Sequence, residues 1–182
     1  MSLKAYFKKH TLEFITPGGT SRGVLKTKDT YFIILKAQDR FGIGECGLFR
    51  GLSCDDRPDY ESVLQWTCNH IHLGVDELIN ELEEFPSIQM GIETAFRSFY
   101  STNWFEIFPS DFIMGKSIPI NGLIWMGDLT YMKDQIDKNI KEGFKCIKLK
   151  IGAIHFKDEL NLLKSIRKEF GPDEIELRVD AN

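Results

Sequence analysis

The sequence predicts two structural units of different class: an α+β domain over residues 1–115 and a β-α-β-α-β segment over residues 116–182. Two observations support this division. In the first part, strand-like segments precede helical ones, which is the order typical of α+β proteins. In the second part, strands and helices alternate with a period of about 30 residues, which indicates parallel strands joined by right-handed crossovers.

The first part opens with a predicted antiparallel meander within residues 1–47. The segments at 5–16 and 29–38 alternate apolar with polar residues, or are rich in β-branched and aromatic residues, as strands are. A turn at 38–42 then leads to a returning strand at 42–47.

Three helices are predicted after the meander, at 59–71, 75–85 and 87–102. The last helix carries its apolar residues on a single stripe, as expected for a helix that packs on a core. The stripe consists of Ile88, Ile92, Ala95, Phe96 and Phe99.

The second part contains predicted strands at 117–125, 145–152 and 174–182, with helices at 128–143 and 156–171 between them. Both helices end on a glycine, which is a frequent helix stop signal. No low-complexity segment or long linker separates this part from the first.

Composition narrows the classes of function. The net charge of −4 argues against nucleic acid or an anionic membrane as a partner. The longest apolar stretches are too short to span a bilayer, and the first ten residues lack the apolar region of a secretory signal. The four cysteines show no C-x-x-C pairing, so neither a zinc site nor a disulfide framework is expected. We therefore expect a cytoplasmic protein.

Two further motifs suggest binding sites but do not meet the structural requirements for them. The segment 42–47, GIGECG, has the spacing of a dinucleotide-binding loop, but a turn precedes it and a loop follows it, so hairpin glycines are expected instead. His70 and His72 are two residues apart, and on a helix such residues do not face each other.

Two lysines lie inside the apolar strand predicted at 145–152. Lys148 and Lys150 are two residues apart, so their side chains project from the same face. Taken alone, this pattern also fits an amphipathic strand with its polar face in water. Asp180 lies at the C-terminal end of the following strand, where it could share a pocket with Lys150 or cap a following helix.

Taken together, these features resemble the enolase superfamily, more narrowly its muconate-lactonising branch, and within that branch the o-succinylbenzoate synthase family. The resemblance covers the whole chain. The stretches that carry it are SRGVLKTKDTYFIIL (21–35), GIGECGLFRGL (42–52), IPINGLIW (118–125), KCIKLKIG (145–152) and RVDAN (178–182). It implies an α+β capping domain over 1–115 and about three strands of a TIM-like β/α barrel over 116–182.

The resemblance also implies a chemistry. Members of this branch remove a proton next to a carboxylate, and a divalent metal stabilises the enediolate that forms. Lys150 would be the base, and Lys148 an electrostatic helper that favours the neutral amine of its neighbour. Asp180 would be a ligand of Mg²⁺ or Mn²⁺. The implied reaction is the dehydration of a succinyl-hydroxycyclohexadiene carboxylate in menaquinone biosynthesis.

Four residues are expected to contact the small carboxylate substrate. Glycine-rich loops at 16–23 and 46–53 suit mobile segments, and their residues Arg22, Arg50 and Gly51 are candidates, together with Asn182. For each arginine, an ordinary surface position remains the alternative.

The sequence departs from the family in one respect. The family binds its metal with three acidic residues on successive strand ends, and only the first, Asp180, is present. The second acid–base lysine of the family is also missing, and a complete barrel takes roughly 200 residues or more. We therefore expect a fragment of a longer enzyme or a truncated form. Two other readings stay open: a dipeptide epimerase or N-acylamino-acid racemase of the same branch, and a non-catalytic module.

Overall fold

The computed structural model describes residues 2–20, 23–152 and 154–181. The chain divides into two compact units, Met1–Lys116 and Ser117–Asn182. Each unit has a hydrophobic core of its own.

The first unit contains a three-stranded antiparallel sheet in the order β1-β2-β3. Its strands are β1 (Lys4–Thr20), β2 (Gly23–Ala37) and β3 (Arg40–Cys46). Alternate residues of β2 face the core, and Ile33 and Leu35 are completely buried. The α+β architecture predicted for this part of the chain is therefore present.

The predicted loop at 16–23 differs from the structure. The β1–β2 pairing continues to Thr20 opposite Gly23, with a register shift between Glu13 and Gly18. The register shift lets the ladder continue past the Pro-Gly-Gly sequence, which by composition alone indicates a loop. The distal part of this hairpin is exposed to solvent, and Ile15 buries none of its side chain.

Three helices cover the inner face of the sheet. They are α1 (Tyr60–Asn69), α2 (Val75–Glu81) and α3 (Pro86–Tyr100), with a short 3₁₀ helix at Ile71–Leu73. Helix α3 lies directly against β3, and this close approach requires glycine on both elements. A Cβ atom on Gly44 would overlap the carbonyl oxygen of Gly91. Gly42 and Gly44 of the segment 42–47 thus serve helix packing in this unit.

The apolar stripe expected on the third helix faces the core of the first unit. That core joins β2, β3 and all three helices. Its buried members are Tyr31, Ile33, Leu35, Cys46, Leu48, Tyr60, Leu64, Ile71, Leu78, Leu82, Phe85, Ile88, Ile92, Ala95 and Phe96. Phe99 packs against it from a half-buried position.

The second unit is a parallel three-stranded sheet in the order β4-β5-β6, with a helix in each crossover. Its elements are β4 (Gly122–Ile124), α4 (Leu129–Lys141), β5 (Cys146–Lys150), α5 (Phe156–Glu169) and β6 (Glu176–Asp180). Asp128 caps α4 by accepting a hydrogen bond from the backbone N–H of Tyr131. Gly143 follows the helix with a φ of 86°, a conformation that favours glycine.

Strand β4 is shorter than the predicted segment 117–125. Its pairing begins with Gly122 opposite Ile147, and β5 itself begins at Cys146. The residues before Gly122 include Ile118 and Ile120, which are largely exposed. A strand can pair only where its partner strand is present. The start of β4 therefore depends on the start of β5 and cannot be predicted from the sequence of β4 alone.

The core of the second unit lies between the sheet and its two helices. Its buried members are Ile124, Met132, Ile136, Ile147, Leu149, Leu162, Ile166 and Ile175. None of the helices in the described residues is long and apolar enough to cross a membrane.

Candidate active site

Polar side chains meet at the C-terminal ends of β5 and β6. Lys150 is the last residue of β5, and it pairs in register with Asp180, the last residue of β6. Ile147 and Leu149 are buried on one face of β5, whereas Lys148 and Lys150 project from the other face and are partly buried. The alternation expected from the sequence is therefore present in the strand.

Both lysines approach the same carboxylate oxygen. The Nζ atom of Lys148 lies 2.8 Å from Oδ2 of Asp180, and the Nζ atom of Lys150 lies 3.7 Å from it. The three side chains are between 22% and 36% exposed, so the group is only partly accessible to water. Two cations beside one anion leave an excess of positive charge, which suits an anionic ligand such as a carboxylate.

An aromatic ring completes this edge of the sheet. Trp125 directly follows the last residue of β4, and its ring centroid lies 5.4 Å from the Nζ atom of Lys150. The backbone N–H of Trp125 donates to Oε1 of Gln135 at 2.8 Å, and its carbonyl accepts from Nε2 of the same side chain at 3.0 Å. Neither Trp125 nor Gln135 was predicted as a site residue from the sequence. The position of Trp125 in the sequence could have indicated it, because it occupies the strand end that corresponds to Lys150 and Asp180.

A buried carboxylate supports the loop after β5. Glu159 is only 3% exposed, and its Oε1 atom accepts a hydrogen bond of 2.7 Å from the backbone N–H of Gly152. Gly152 lies two residues beyond Lys150, so this contact connects α5 to the segment that leaves the site. Sequence reasoning also missed this residue.

Arg50 and Gly51 lie in the first unit, where Asp56 binds both. Oδ1 of Asp56 lies 2.6 Å from Nη1 of Arg50, and Oδ2 accepts a hydrogen bond of 2.6 Å from the backbone N–H of Gly51. Nη2 of Arg50 also donates to the hydroxyl of Tyr31 at 3.1 Å. The hydrogen bond from Gly51, and after it the bond from Arg50, holds the pKa of Asp56 below its usual range. The loop at 46–53 is rich in glycine, but the contacts of Asp56 with Arg50 and Gly51 hold it in place.

The remaining two predicted substrate contacts, Arg22 and Asn182, lie outside the described residues. Their role stays a prediction.

Asp180 is the candidate metal ligand among the described residues of this edge. The Asp180 carboxylate has the hard oxygen donors that Mg²⁺ prefers. Within the part of the chain that the structure describes, no three His, Cys, Asp or Glu side chains lie close enough together to hold a metal ion. Asp180 could therefore serve as one ligand of a larger set, and the residues beside it do not complete that set.

Comparisons with known proteins agree with this arrangement. Residues 131–182 match the family described as enolase C-terminal domain-like. The chain is 36% identical over 211 aligned residues to o-succinylbenzoate synthase from Desulfotalea psychrophila, an alignment that covers 97% of this chain and 56% of the relative.

Two solved structures have a similar fold. The crystal structure of MenC from Desulfotalea psychrophila LSv54 superposes with a TM-score of 0.74 at 28% identity, over 100% of this chain and 57% of that chain. The o-succinylbenzoate synthase from Thermosynechococcus elongatus BP-1, complexed with magnesium in its active site, gives a TM-score of 0.74 at 21% identity, over 98% and 52% of the two chains. The chain spans about half the length of the relatives that it matches.

Proposed function

We propose that this chain, which is similar to an o-succinylbenzoate synthase over 97% of its length and matches the enolase C-terminal domain-like family over residues 131–182, forms part of an o-succinylbenzoate synthase-like lyase. In this proposal the first unit is the capping domain and the second unit supplies the opening strands of the β/α barrel. The observation that carries the proposal is the convergence of Lys148, Lys150 and Asp180 at adjacent strand ends.

The proposed reaction begins with proton removal from the carbon next to the substrate carboxylate. The Nζ atom of Lys150, as a neutral amine, takes the proton, and the electrons of the C–H bond pass toward the carboxylate. The ammonium of Lys148 stays protonated and stabilises the negative charge that develops there. The substrate hydroxyl then leaves as water with a returned proton, and the ring becomes aromatic. Atoms and electrons balance without a redox cofactor.

The proposal includes a divalent metal, with Asp180 as one of its ligands. When bound, Mg²⁺ or Mn²⁺ would supply further charge stabilisation for the substrate carboxylate. Since one carboxylate does not hold such an ion by itself, the other ligands would come from outside residues 1–182. We therefore expect further acidic residues at the next two strand ends of the intact enzyme.

The proposal also includes substrate contacts. Arg22, Arg50, Gly51 and Asn182 are proposed as substrate contacts from the resemblance alone. For Arg50 the structure gives a competing use, because its guanidinium is already bound by Asp56 and Tyr31.

The decisive experiment incubates the intact enzyme and Mg²⁺ with the succinyl-hydroxycyclohexadiene carboxylate and follows the formation of the aromatic product. We expect turnover that is lost in Lys150→Ala. A dipeptide epimerase or racemase would instead exchange the α-proton of its substrate with deuterium from solvent, without net loss of water. A non-catalytic module would do neither, and either result would overturn the proposal.

A further inference from the structure

Side chains at the ends of β4 and β6 flank the amine of Lys150, which ends the middle strand of the second unit. Trp125 follows β4, Lys150 ends β5 and Asp180 ends β6. The Nζ atom of Lys150 lies 5.4 Å from the centroid of the Trp125 ring and 3.7 Å from Oδ2 of Asp180. The amine therefore lies between an aromatic face on one side and a carboxylate on the other.

The backbone of Trp125, from which the ring projects, is held by a side chain of helix α4. The pairing of β4 with β5 ends at Ile124 opposite Leu149, so the peptide groups of Trp125 lie beyond the ladder. The side-chain amide of Gln135 supplies the hydrogen bonds that a paired strand would make. It accepts from the N–H of Trp125 at 2.8 Å and donates to its carbonyl at 3.0 Å. Partly buried backbone groups also need such partners, and one amide satisfies both.

Helix α4 in turn fixes Gln135. The residue lies in the second turn of the helix, and its Nε2 atom also donates to the carbonyl of Tyr131 at 3.3 Å. The start of that helix is set by the Asp128 cap, whose Oδ1 atom is 2.9 Å from the N–H of Tyr131. A continuous set of contacts thus connects the capped helix end to the backbone of Trp125.

The chemistry of the lysine and the indole indicates how the two side chains interact. A lysine side chain has four rotatable carbon bonds, so its amine needs external contacts to stay in one place. An indole face attracts an ammonium group within about 6 Å of its centroid, so it would hold Lys150 in the protonated form that the proposed base adopts once it has taken the substrate proton. We propose that Trp125, clamped by Gln135, is a positioning residue that holds the Lys150 amine at the end of β5. The proposal rests on the proposed function for its catalytic consequence, whereas the contact itself can be measured without activity.

Nuclear magnetic resonance of the uniformly ¹³C,¹⁵N-labelled chain tests the contact. The Hε resonances of Lys150 should be shifted upfield by the indole ring, and nuclear Overhauser effects should connect them to the ring protons of Trp125. Lys145 is exposed, directly precedes the same strand and provides an internal reference. Trp125→Leu should return the Lys150 shift toward that of Lys145. An unshifted Lys150 without these Overhauser effects in the wild-type chain would overturn the proposal, even if no variant folds.

The clamp is tested by near-isosteric variants of Gln135. Gln135→Glu keeps an acceptor for the Trp125 N–H but loses the donor to its carbonyl, and Gln135→Met loses both. The upfield shift of Lys150 should therefore decrease in that order. Gln89→Glu is a matched control, because Gln89 also donates to a backbone carbonyl, that of Ile79 in the first unit. An unchanged Lys150 shift in Gln135→Met would exclude the clamp.

Kinetics of the intact enzyme separate positioning from substrate contact. A misplaced base lowers kcat, and a misplacement of about 1 Å can cost on the order of 100-fold. We expect Trp125→Leu to lower kcat by between 10- and 100-fold, with KM changed by less than about threefold. A raised KM at constant kcat would show that Trp125 binds substrate instead, against the proposal. Should Lys150→Ala remain active, the proposed function fails while the measured Trp125–Lys150 contact stands.

Discussion

The ammonium of Lys148 lies 2.8 Å from a carboxylate oxygen of Asp180, within hydrogen-bonding distance. Lys150, at 3.7 Å from the same oxygen, is outside that distance. The two lysines of β5 therefore differ in their relation to the carboxylate. Lys148 is the anchored cation, and Lys150 lies at the strand end with a looser ionic contact. This difference matches the proposed division between a charge-stabilising lysine and a base.

In the intact enzyme, Lys150→Ala should abolish proton abstraction, and Lys148→Ala should weaken it less. Lys150 is at the open end of β5, whereas Lys148 lies about 6–7 Å lower at about 3.3 Å per residue. General base catalysis contributes roughly 10²–10⁴-fold, so the larger loss belongs to Lys150. The measurement is the single-turnover rate at saturating Mg²⁺.

Two further variants serve as controls for this comparison. Lys150→Arg should also be inactive, because a guanidinium does not release its proton at working pH. Lys145→Ala, just before the same strand, should retain the wild-type rate. If Lys150→Ala turns over normally while Lys148→Ala is dead, the two roles are reversed. If both retain activity, β5 is merely an amphipathic strand.

The chain of residues 1–182 should bind Mg²⁺ only weakly. The candidate carboxylate, Asp180, already faces the amino groups of two lysines, and Mg²⁺ requires several oxygen ligands in near-octahedral geometry. Titration calorimetry of this chain should detect no tight stoichiometric uptake. In the intact enzyme, Asp180→Asn should weaken Mg²⁺ binding. Tight uptake by residues 1–182 alone would show that the site is built from other groups.

Asp56 should stabilise the first unit in a pH-dependent way. The N–H of Gly51 and the guanidinium of Arg50 hold its pKa below the usual carboxyl range. Its contribution is therefore complete above the ordinary carboxyl pKa of about 4 and is lost as pH falls through the lowered pKa of the folded state. Asp56→Asn should cost about 1 kcal/mol of unfolding free energy at pH 7.

Urea unfolding at a series of pH values measures this effect. The difference between wild type and Asp56→Asn should shrink on the acid side. Asp39→Asn provides a control, because Asp39 is an exposed residue in the turn between β2 and β3. A wild-type advantage that stays constant down to the most acid pH would contradict the assignment of the contact to the ionised carboxylate.

Local sequence patterns predicted the elements whose periodicity is strong. Helix α5 and strands β5 and β6 lie within their predicted segments, since their apolar spacing and stop signals are intrinsic to the sequence. The extent of pairing was not predictable in the same way. Strand β4 is limited by its partner β5, and β1 runs through a glycine-rich segment because a register shift keeps it paired with β2.

The same distinction applies to the site. The meeting of Lys150 with Asp180 follows from strand alternation and from the alignment of parallel strand ends, both of which can be read from sequence. The Gln135 clamp joins two residues that lie 10 positions apart in the sequence. It depends on how far the amide of Gln135 extends from α4 toward Trp125. The Arg50–Asp56 pair likewise depends on the path of a loop, for which the sequence has no periodic signal.

The last prediction concerns the glycines of the segment 42–47, where α3 packs against β3. A Cβ atom on Gly44 would overlap the carbonyl oxygen of Gly91 and lie 2.6 Å from the backbone nitrogen of Ala95. Both obstacles are backbone atoms of a helix, so neither can move without displacing α3. Gly44→Ala should therefore destabilise the first unit by about 1–3 kcal/mol or more.

Gly47→Ala is the matched control for this substitution. Its Cβ atom would lie 3.7 Å from Nζ of Lys28, which is an ordinary contact with the end of a flexible side chain. Neither Gly44 nor Gly47 has a positive φ, so alanine adopts both backbone conformations without strain. The two variants thus differ only in packing, and the urea midpoint should fall for Gly44→Ala and stay near wild type for Gly47→Ala. Equal midpoints would mean that α3 does not approach β3 as closely as described, and the role of these glycines would then have to be sought elsewhere.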